Sequence, residues 1–349
     1  MDPHSTRAIL IERLGRPEVL REREVRLPPL GARDVQVRVL AAGVNFADLL
    51  MRAGLYGTVP RRPYSPGFEV AGEIAAVGSE VDGWRPGDRA VALLRHGGYA
   101  RDLVIPARQA FRYPASLTPV QAAAIPVVFL TAWVALFEAA RARPRETALV
   151  LGAGGGVGTA AVQLAVQHGM RVFGTAGAPA KRSYVVKELG AAACYDSRGS
   201  WEADVRRASG PQGVDVALDA SGGPATAACR RLLAPLGRVV FYGLSEAMPG
   251  ERRNWLRAAW AWVRTARIHP LALVEPNTGI FGVHLLHLGE REEAILTPAL
   301  EEIFRRVAGG ALKAVVDRTF PLDRDGAVAA HHFLHARRNL GKVVLTAGD

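Results

Sequence analysis

The sequence predicts an α/β protein of two domains, one β-rich and one built on a doubly wound parallel sheet. The chain has 349 residues, more than one ordinary hydrophobic core accommodates. Residues 7 to 110 contain short β-rich runs that Gly and Pro interrupt. From about residue 121, short apolar runs alternate with alanine-rich stretches of helical length, which is typical of parallel strands with helices on both faces.

The predicted strands follow in order along the chain. The β-rich part contains "RAILIERLG", "DVQVRVLAAGV", "EVAGEIAAVG", "GDRAVALL" and "YARDLVIPA". The parallel sheet is predicted from "TALVLG", "MRVFGTA", "GVDVALDA" and "GRVVFYG". A last helix, "TPALEEIFRRVAGG", leads to two further β-like stretches, "VVDRTFPLD" and "NLGKVVLTAG".

Composition indicates a globular, intracellular protein. Hydrophobic residues make up 49% and charged residues 22% of the chain, which leaves little room for disorder. Two cysteines, Cys194 and Cys229, are too few for a disulfide framework, and the first residues lack the apolar core of a secretory signal. Residues 113 to 137 carry no charge and have membrane-spanning length, but three prolines interrupt them, so we expect buried helices and a cytoplasmic protein.

The net charge of +11 permits several anionic partners and selects none of them. It arises from 44 Lys and Arg against 33 Asp and Glu, most of the excess being arginine scattered along the chain. No homeodomain, zinc-finger or RNA-binding signature accompanies the charge. We therefore expect no nucleic-acid partner.

The glycine-rich stretch "ALVLGAGGGVGTAAVQLA", residues 148 to 165, is predicted to join a buried strand to a helix. The strict pattern G-x-G-x-x-G is absent, because Val157 stands where the third glycine belongs. A shifted register, A-x-G-x-x-G from Ala153, fits: Gly155 lets the backbone approach a pyrophosphate, and Gly158 lets the helix pack on the strand. A glycine turn needed only for tight packing is the alternative.

The next predicted strand, "RVFGTA", indicates which dinucleotide binds. NAD-dependent enzymes usually carry Asp or Glu about 20 residues after the turn. Here no acidic residue occurs between Gly158 and Glu188, whereas Lys181 and Arg182 could pair with a 2′-phosphate. The sequence therefore favours NADPH, the alternative for the two cations being the solvated start of a helix.

Several blocks together resemble the medium-chain dehydrogenase/reductase superfamily, in its zinc-free quinone oxidoreductase branch. They are "AAGVNFADLLMRAGLYG", "PYSPGFEVAGEIAAVGSEVDGWRPGDRAVAL", "AAAIPVVFLTAW" and "GAGGGVGTAAVQLA". Within that branch, "RNWLRAAWAWVRTARIHPLALVEPNTGIFGVHLLHL" and "NLGKVVL" resemble the vesicle amine transport (synaptic vesicle membrane protein) group. The resemblance implies a GroES-like catalytic domain, residues 1–120 completed by residues 290–349, and a Rossmann NADPH domain, residues 121–289.

The same resemblance bears on metal binding. Zinc-dependent members place Cys and His ligands where this chain has Asn45 and Phe68, leaving only Glu69. One carboxylate does not hold a catalytic zinc, and the structural loop of four cysteines is missing. The pair His331 and His332 lacks companions to complete a ligand set, so we expect it on a surface helix. No metal is expected.

Zinc-free chemistry favours a conjugated acceptor. Alcohol oxidation needs a metal to stabilise the alkoxide, whereas a quinone or enone delocalises the arriving hydride's charge onto a distant oxygen. The predicted function is NADPH-dependent reduction of a quinone or an α,β-unsaturated carbonyl, with an enoyl-type biosynthetic reductase as the alternative. The G-x-S-x-G nucleophile elbow of hydrolases is absent from the sequence, so hydrolase chemistry is not expected.

The resemblance also implies the site residues. Asn45 and Asp48 lie near the nicotinamide, where Asn45 hydrogen-bonds the ribose or the acceptor. Tyr56, at the mouth of the cleft, donates its hydroxyl or stacks on a planar ring, the alternative being an aromatic that caps the β-rich domain. Related reductases often have a Tyr where this chain has Ser197. The implied cofactor-binding residues are Asn45, Thr131, Ala153, Gly155, Gly156, Val157, Gly158, Gly174, Thr175, Lys181, Arg182, Ser197, Arg198, Ser221, Gly222, Tyr242, Gly243, Leu244, Phe281, Gly282, Val283, Asn339 and Lys342.

Two predictions concern partners. Residues 252–267, "RRNWLRAAWAWVRTAR", combine Trp and Arg on an amphipathic pattern, which fits either a cover over the acceptor pocket or a membrane-surface element. A nucleotide-binding, lipid- or membrane-associated protein with little turnover is therefore a second hypothesis. The apolar stretch "IFGVHLLHL" could pair across a two-fold axis, so we expect a homodimer.

Overall fold

The computed structural model describes residues 5–57, 59–245, 268–288 and 292–348. The described chain forms two compact units, one from residues 5–127 and 304–348 and the other from residues 128–245 and 268–303. The sequence placed the corresponding divisions at 120/121 and 289/290. Residues 252–267, singled out above for a cover or a membrane contact, lie outside the described residues.

All strand pairings of unit 1 are antiparallel except the one between its two C-terminal strands, which is parallel. Its elements are β1 (Ser5–Ile11), β2 (Leu20–Arg26), β3 (Asp34–Val44), α1 (Phe46–Ala53), β4 (Glu69–Val77), β5 (Arg89–Leu93), β6 (Asp102–Pro106), β7 (Ala110–Arg112), α2 (Pro119–Ala122), and, from the C-terminal part of the chain, β14 (Val316–Pro321), α10 (Arg324–His335) and β15 (Lys342–Thr346). Alternation explains β3, in which Val35, Val37 and Val39 are buried while the side chains between them are not. The main sheet has the order β14-β15-β3-β4-β5-β7, with β6 on β3, and β1 pairs with β2.

Unit 2 is a six-stranded sheet whose pairings are all parallel. Its elements are α3 (Pro126–Trp133, followed by a π-helical stretch Val134–Ala139), β8 (Thr147–Val150), α4 (Gly156–Gln167), β9 (Arg171–Ala176), α5 (Pro179–Lys187), β10 (Ala193–Asp196), α6 (Trp201–Ser209), β11 (Val214–Asp219), α7 (Pro224–Arg231), β12 (Leu233–Phe241), α8 (Leu271–Val274), β13 (Gly279–Gly282) and α9 (Glu292–Ala308). The short strands are nearly continuous buried runs, as strands with both faces covered require.

The strand order of unit 2 locates its binding crevice. The order β10-β9-β8-β11-β12-β13 reverses direction between β8 and β11. Ligands of such sheets bind outside the carboxyl ends of the strands at this reversal. The predicted class, an α/β fold with a β-rich part and a doubly wound parallel sheet, is confirmed.

The apolar stretch predicted as buried helices becomes α2, α3 and the π-helical stretch. The helical span Pro119–Ala139 has a mean hydropathy of 2.0 over its most apolar window, long and apolar enough to cross a membrane. Within that window, 72% is buried inside the protein, as the core helix of a globular protein also is.

Candidate active site

Three strands of unit 1 bring the first polar cluster together. The antiparallel register places Val343 of β15 opposite Val44 of β3, so Lys342 lies beside Asn45. On the other side of β3, Val70 of β4 pairs with Ala42, which places Glu69 next to Gly43. We call Asn45, Glu69 and Lys342 the amide-ammonium cluster.

The amide-ammonium cluster is an ion pair with an amide fixed on it. The Lys342 Nζ donates to Glu69 Oε1 at 2.7 Å, to Asn45 Oδ1 at 2.8 Å and to the Val44 carbonyl at 3.0 Å. Asn45 Nδ2 donates to the same Glu69 Oε1 at 2.9 Å. Because an ammonium group only donates, Asn45 must turn its oxygen toward Lys342, which fixes the orientation of its amide. All three donors of Lys342 are thereby used within the protein.

Burial makes this cluster energetically important. Glu69 is fully buried, Lys342 is 3% exposed and Asn45 is 8% exposed. The second Glu69 oxygen, Oε2, accepts the backbone N–H of Val127 at 2.7 Å. A Cβ on Gly43 would lie 2.5 Å from Glu69 Oε1, so only glycine leaves space for the carboxylate. Such a pair is tolerated inside a protein because each charge is matched and hydrogen-bonded.

Asp48 holds the backbone beside Asn45. It is fully buried in the first turn of α1 and accepts the N–H of Asn45 on Oδ2 at 2.8 Å and that of Gly67 on Oδ1 at 2.8 Å. Burial raises its pKa to about 7, although the two backbone donors and the Lys342 charge act to lower it. The contacts make Asp48 a positioning group for Asn45.

Behind Asp48, a buried chain of polar side chains runs into α10. Tyr99 Oη donates to Asp48 Oδ2 at 3.3 Å and lies 3.3 Å from His331 Nε2. Arg52 places Nη1 3.0 Å from His331 Nδ1 and Nη2 2.7 Å from His335 Nε2. Since a guanidinium cannot accept, both of these histidine nitrogens accept, and the proton of His331 is on Nε2, facing Tyr99.

The prediction that His331 lies on a surface helix is wrong. It is fully buried, and burial together with the Arg52 charge holds its pKa well below the usual value, so the ring is neutral. A signal for this was present in the sequence: the buried side of α10 contains Ala327, Ala330, His331, Leu334 and His335, which repeat with a helical period. His332, the other member of the pair, is partly exposed and contacts Glu18 at 2.9 Å.

Tyr56 follows α1 and lies half-buried. Its ring packs at 57° to the ring of Phe68, with the centroids 5.7 Å apart. Burial, and to a lesser extent the Asp48 charge, raises its pKa to about 12. Tyr56 is therefore protonated at neutral pH and able to donate. It lines a cavity of about 670 Å³ in unit 1.

Asn339 supports the turn into β15. Its Nδ2 donates to the carbonyl of Gly341 at 2.7 Å, just before Lys342. The backbone N–H of Leu340 is held by Asp317 Oδ2 at 3.1 Å. One contact from within the turn and one from Asp317 of β14 thus hold the backbone that leads into Lys342.

In unit 2, the glycine turn has the geometry of the shifted register. Gly155 is the N-cap of α4, and the N–H of Ala153 donates to the carbonyl of Thr175 at 2.8 Å. A Cβ on Gly158 would lie 2.2 Å from the carbonyl oxygen of Gly152, so the helix can approach the strand this closely only with glycine. The other predicted residues of this region, Gly156 and Val157 in α4 and Gly174 and Thr175 in β9, lie around this turn at the reversal of strand order.

The predicted phosphate-binding cations lie at the next strand ends. Arg182 Nη1 is 3.2 Å from Asp196 Oδ2 and donates to the Gly177 carbonyl at 3.1 Å. Arg198 Nε lies 3.7 Å from Asp196 Oδ1, and its Nη2 also donates to the Gly177 carbonyl. Lys181 packs its aliphatic stem near Gly154 of the glycine turn, and Ser197 lies near Gly177. The sequence reasoning missed the acidic member of this cluster, Asp196.

A buried carboxylate, Asp219, organises the ends of β11 and β12. Its Oδ1 accepts the N–H groups of Ser221 (2.8 Å) and Gly222 (3.1 Å), and its Oδ2 accepts the hydroxyl of Thr226 (2.5 Å). The predicted contact residues Ser221 and Gly222 can therefore offer their carbonyls and Ser221 its hydroxyl, but not these two N–H groups. The sequence did contain a signal for this role: an Asp two residues before a Ser-Gly pair often accepts backbone N–H groups of the turn that follows it.

The remaining predicted contacts occupy neighbouring strand ends. Tyr242, Gly243 and Leu244 follow β12, and the N–H of Tyr242 donates to the Asp219 carbonyl at 3.0 Å. Burial raises the pKa of Tyr242. Phe281 and Gly282 end β13 and Val283 follows them, with Phe281 52% exposed. Thr131 lies in α3 and is 8% exposed.

The residues at the position of the catalytic metal do not fit zinc. Asn45 offers an amide, Phe68 offers no donor atom, and Glu69 is ion-paired with Lys342. A catalytic zinc takes three His, Cys or carboxylate ligands and an open position. Within the described ranges, no group of three or more such residues is placed to hold a metal ion.

The two units and their sites define a dinucleotide-binding dehydrogenase or reductase. Residues 31–115 match the family model described as "Alcohol dehydrogenase GroES-like domain". Residues 189–345 match the family model described as "Zinc-binding dehydrogenase". The chain belongs to the medium-chain dehydrogenase/reductase superfamily, and the predicted family is confirmed.

Individual relatives place it within the superfamily. The chain is 35% identical over 321 residues to the synaptic vesicle membrane protein VAT-1 homolog of Danio rerio. The matched region is 91% of this chain but only 65% of that relative. It is 31% identical to the quinone oxidoreductase of Rattus norvegicus, over 97% of each chain.

Two solved structures share the whole fold. The CurK enoyl reductase has a TM-score of 0.83 at 26% identity, covering 98% of this chain and 99% of the other. A mycobacterial protein solved in complex with NADPH has a TM-score of 0.84 at 28% identity, with the same coverage.

Proposed function

We propose that this protein is a zinc-independent reductase that transfers hydride from NADPH to a quinone or an α,β-unsaturated carbonyl. The observation that carries the proposal is the amide-ammonium cluster. Where zinc-dependent relatives bind their metal, this chain has Asn45 and Phe68, and the one carboxylate, Glu69, is neutralised by Lys342. A cation fixed by three acceptors replaces the metal's charge in this region but cannot polarise a carbonyl as an open metal site does. The rat quinone oxidoreductase relative supports the same reaction class.

The residues of unit 2 fit a dinucleotide. The N–H groups at the start of α4 bind the pyrophosphate, and Gly158 allows the close approach that such a turn needs. Arg182 and Arg198, both paired with Asp196, bind the 2′-phosphate together with Lys181. The mycobacterial neighbour solved with NADPH supports this cofactor. When bound, NADPH supplies a hydride from C4 of its nicotinamide ring.

The side chains of unit 1 bind and orient the acceptor. One N–H of the Asn45 amide is held by Glu69, and the other is available to the ribose or to the acceptor oxygen. Tyr56, whose pKa of about 12 keeps its hydroxyl protonated, donates to the oxygen on which charge develops after hydride transfer. A conjugated acceptor needs only such donors and correct placement, since its charge is already delocalised.

The alternatives rest on separate observations. The CurK neighbour favours an enoyl-type reductase of a biosynthetic pathway as the second candidate. The VAT-1 relatives, named as membrane proteins, favour a nucleotide-binding protein associated with lipid, for which residues 252–267 would be the contact.

We place the protein in the cytoplasm and propose that it dimerises through the edge strand β13, where Phe281 is exposed.

Initial rates of NADPH and NADH oxidation test the reaction. The panel contains ortho- and para-quinones, 2-alkenals and enoyl thioesters. Saturable turnover with NADPH at least about tenfold more efficient than with NADH is expected, because a 2′-phosphate gains charge-assisted hydrogen bonds. Protein that binds NADPH yet turns over no acceptor would contradict the proposal and favour the lipid-associated alternative.

A matched pair of tyrosine variants tests the donor. Tyr56→Phe should lower kcat with little change in NADPH affinity, because the hydroxyl acts on the developing charge. Tyr113→Phe, the control, removes a buried hydroxyl of unit 1 that has no hydrogen-bond partner among the described residues and lies outside the cavity lined by Tyr56. Equal losses in both variants would refute the assigned role of Tyr56.

A further inference from the structure

The cavity beside Tyr56 is lined by none of the three residues of the amide-ammonium cluster. Its volume is about 670 Å³, which is of the size that holds a small molecule. Tyr56 and Tyr64 form one wall, and Leu14, Val59 and Pro60 add apolar surface. The Tyr56 ring packs on Phe68, the residue that precedes Glu69. Tyr56 therefore belongs both to this cavity and to the reaction site proposed above.

Two adjacent arginines give this cavity a positive rim. Arg61 and Arg62 both line it and both are exposed. Among the described residues, neither guanidinium makes a hydrogen bond or ion pair with a carboxylate. The charge of Arg62 acts on Tyr64, lowering the pKa that burial of the ring raises. Arg62 therefore lies close to the tyrosine wall.

The one acidic side chain that lines the cavity, Glu12, already forms an ion pair. Glu12 Oε1 accepts from Arg23 Nε at 2.8 Å. The Glu12 carboxylate is thus neutralised by a cation from outside the lining. Within the described ranges, Arg61 and Arg62 are two positive charges without a carboxylate partner, at the rim of a cavity that also presents two tyrosines and the apolar side chains of Leu14, Val59 and Pro60.

We propose that this cavity is a subsite for an anionic group carried by the acceptor, a carboxylate or a phosphate, which Arg61 and Arg62 bind while the tyrosines and apolar residues contact the chain between that group and the conjugated carbonyl. The inference rests on the proposed function and deepens it by naming the substrate class. A guanidinium matches both oxyanions in geometry and in charge. Neutral quinones would use the reaction site without using this subsite.

Matched acceptors separate the anionic group from the rest of the substrate. The carboxylate arm compares 8-oxo-oct-6-enoic acid with its methyl ester, two enals of the same length. The phosphate arm compares crotonyl-coenzyme A with crotonyl-N-acetylcysteamine, which lacks the phosphates. Each is assayed with the full-length protein, and R61Q/R62Q is compared with R26Q/R108Q, which removes the same charge from exposed arginines outside the cavity lining.

The expected result is a preference of about tenfold in kcat/KM for at least one anionic partner over its neutral match. That preference should disappear in R61Q/R62Q, weaken with added salt, and persist in R26Q/R108Q. Rates with the neutral partners should not change in any variant. No preference in the wild type, or equal loss of preference in both double variants, would overturn the subsite.

A binding measurement keeps this test independent of turnover. Octanoate and methyl octanoate are titrated calorimetrically into wild type and R61Q/R62Q. Octanoate binding that weakens about tenfold in the variant supports the subsite even if no acceptor is reduced, in which case only the proposed reaction fails. Octanoate binding that is absent or is unchanged by the variant refutes the subsite.

Discussion

Removal of the Lys342 ammonium tests the energetics of the amide-ammonium cluster. In Lys342→Met the side chain keeps its approximate length, but Glu69 loses its counter-ion and remains fully buried. The lost contacts are the 2.7 Å ion pair and the hydrogen bonds to Asn45 and Val44. Breaking one member of a buried pair costs about 3–5 kcal/mol. We expect Lys342→Met to destabilise unit 1 by about that amount.

The double variant distinguishes an uncompensated charge from lost packing. Glu69→Gln in the Lys342→Met background removes the isolated carboxylate while keeping its shape, so it should recover a large part of the lost stability. Urea unfolding, followed separately by far-UV circular dichroism and tryptophan fluorescence, measures both variants against Glu69→Gln alone. A loss below about 1 kcal/mol in Lys342→Met, or a double variant less stable than the single one, would refute the reasoning.

Three further predictions follow from other parts of the molecule. Gly158→Ala would place a methyl group 2.2 Å from the Gly152 carbonyl oxygen, so it should lower both Tm and NADPH affinity, whereas Gly282→Ala, with open space at its Cβ, should not change Tm. Asp196→Asn removes the carboxylate that forms ion pairs with Arg182 and Arg198. The Kd for NADPH should therefore fall several-fold, while the Kd for NADH changes little. An equal change in both Kd values would contradict the assigned phosphate site. Asp48 has a folded pKa of about 7 against 3.8 in an unfolded chain, so the folded state binds more protons and this group destabilises the fold progressively from about pH 4 to about pH 7. The stability of wild type relative to Asp48→Asn should therefore fall across that window, and a difference that does not vary with pH would refute the burial argument.

Local pattern was sufficient for the fold. The glycine turn, the alternation in β3 and the repeated apolar runs depend on neighbours close in sequence, and the resulting strand order of unit 2 agrees with them. The resemblance directed attention to Asn45 and Asp48, and the structure places both in one buried region of unit 1.

Contacts between residues far apart in the chain could not be predicted from the sequence. Lys342 reaches an amide 297 residues earlier in the chain, a contact that depends on the register of β15 against β3. The family resemblance implied that Lys342 contacts the cofactor, whereas in the structure its donors are used by Glu69, Asn45 and Val44. The burial of His331 likewise depends on the packing of α10 near α1, which brings Arg52 against it.

The most direct test of the central claim is the activity of metal-depleted protein. Protein dialysed against 1,10-phenanthroline, with its zinc content measured by mass spectrometry, is assayed for quinone-dependent NADPH oxidation. The proposed function predicts that kcat and KM are the same before and after zinc removal, because the amide-ammonium cluster occupies the region where a metal would bind. Activity that disappears on depletion and returns with added zinc would contradict it.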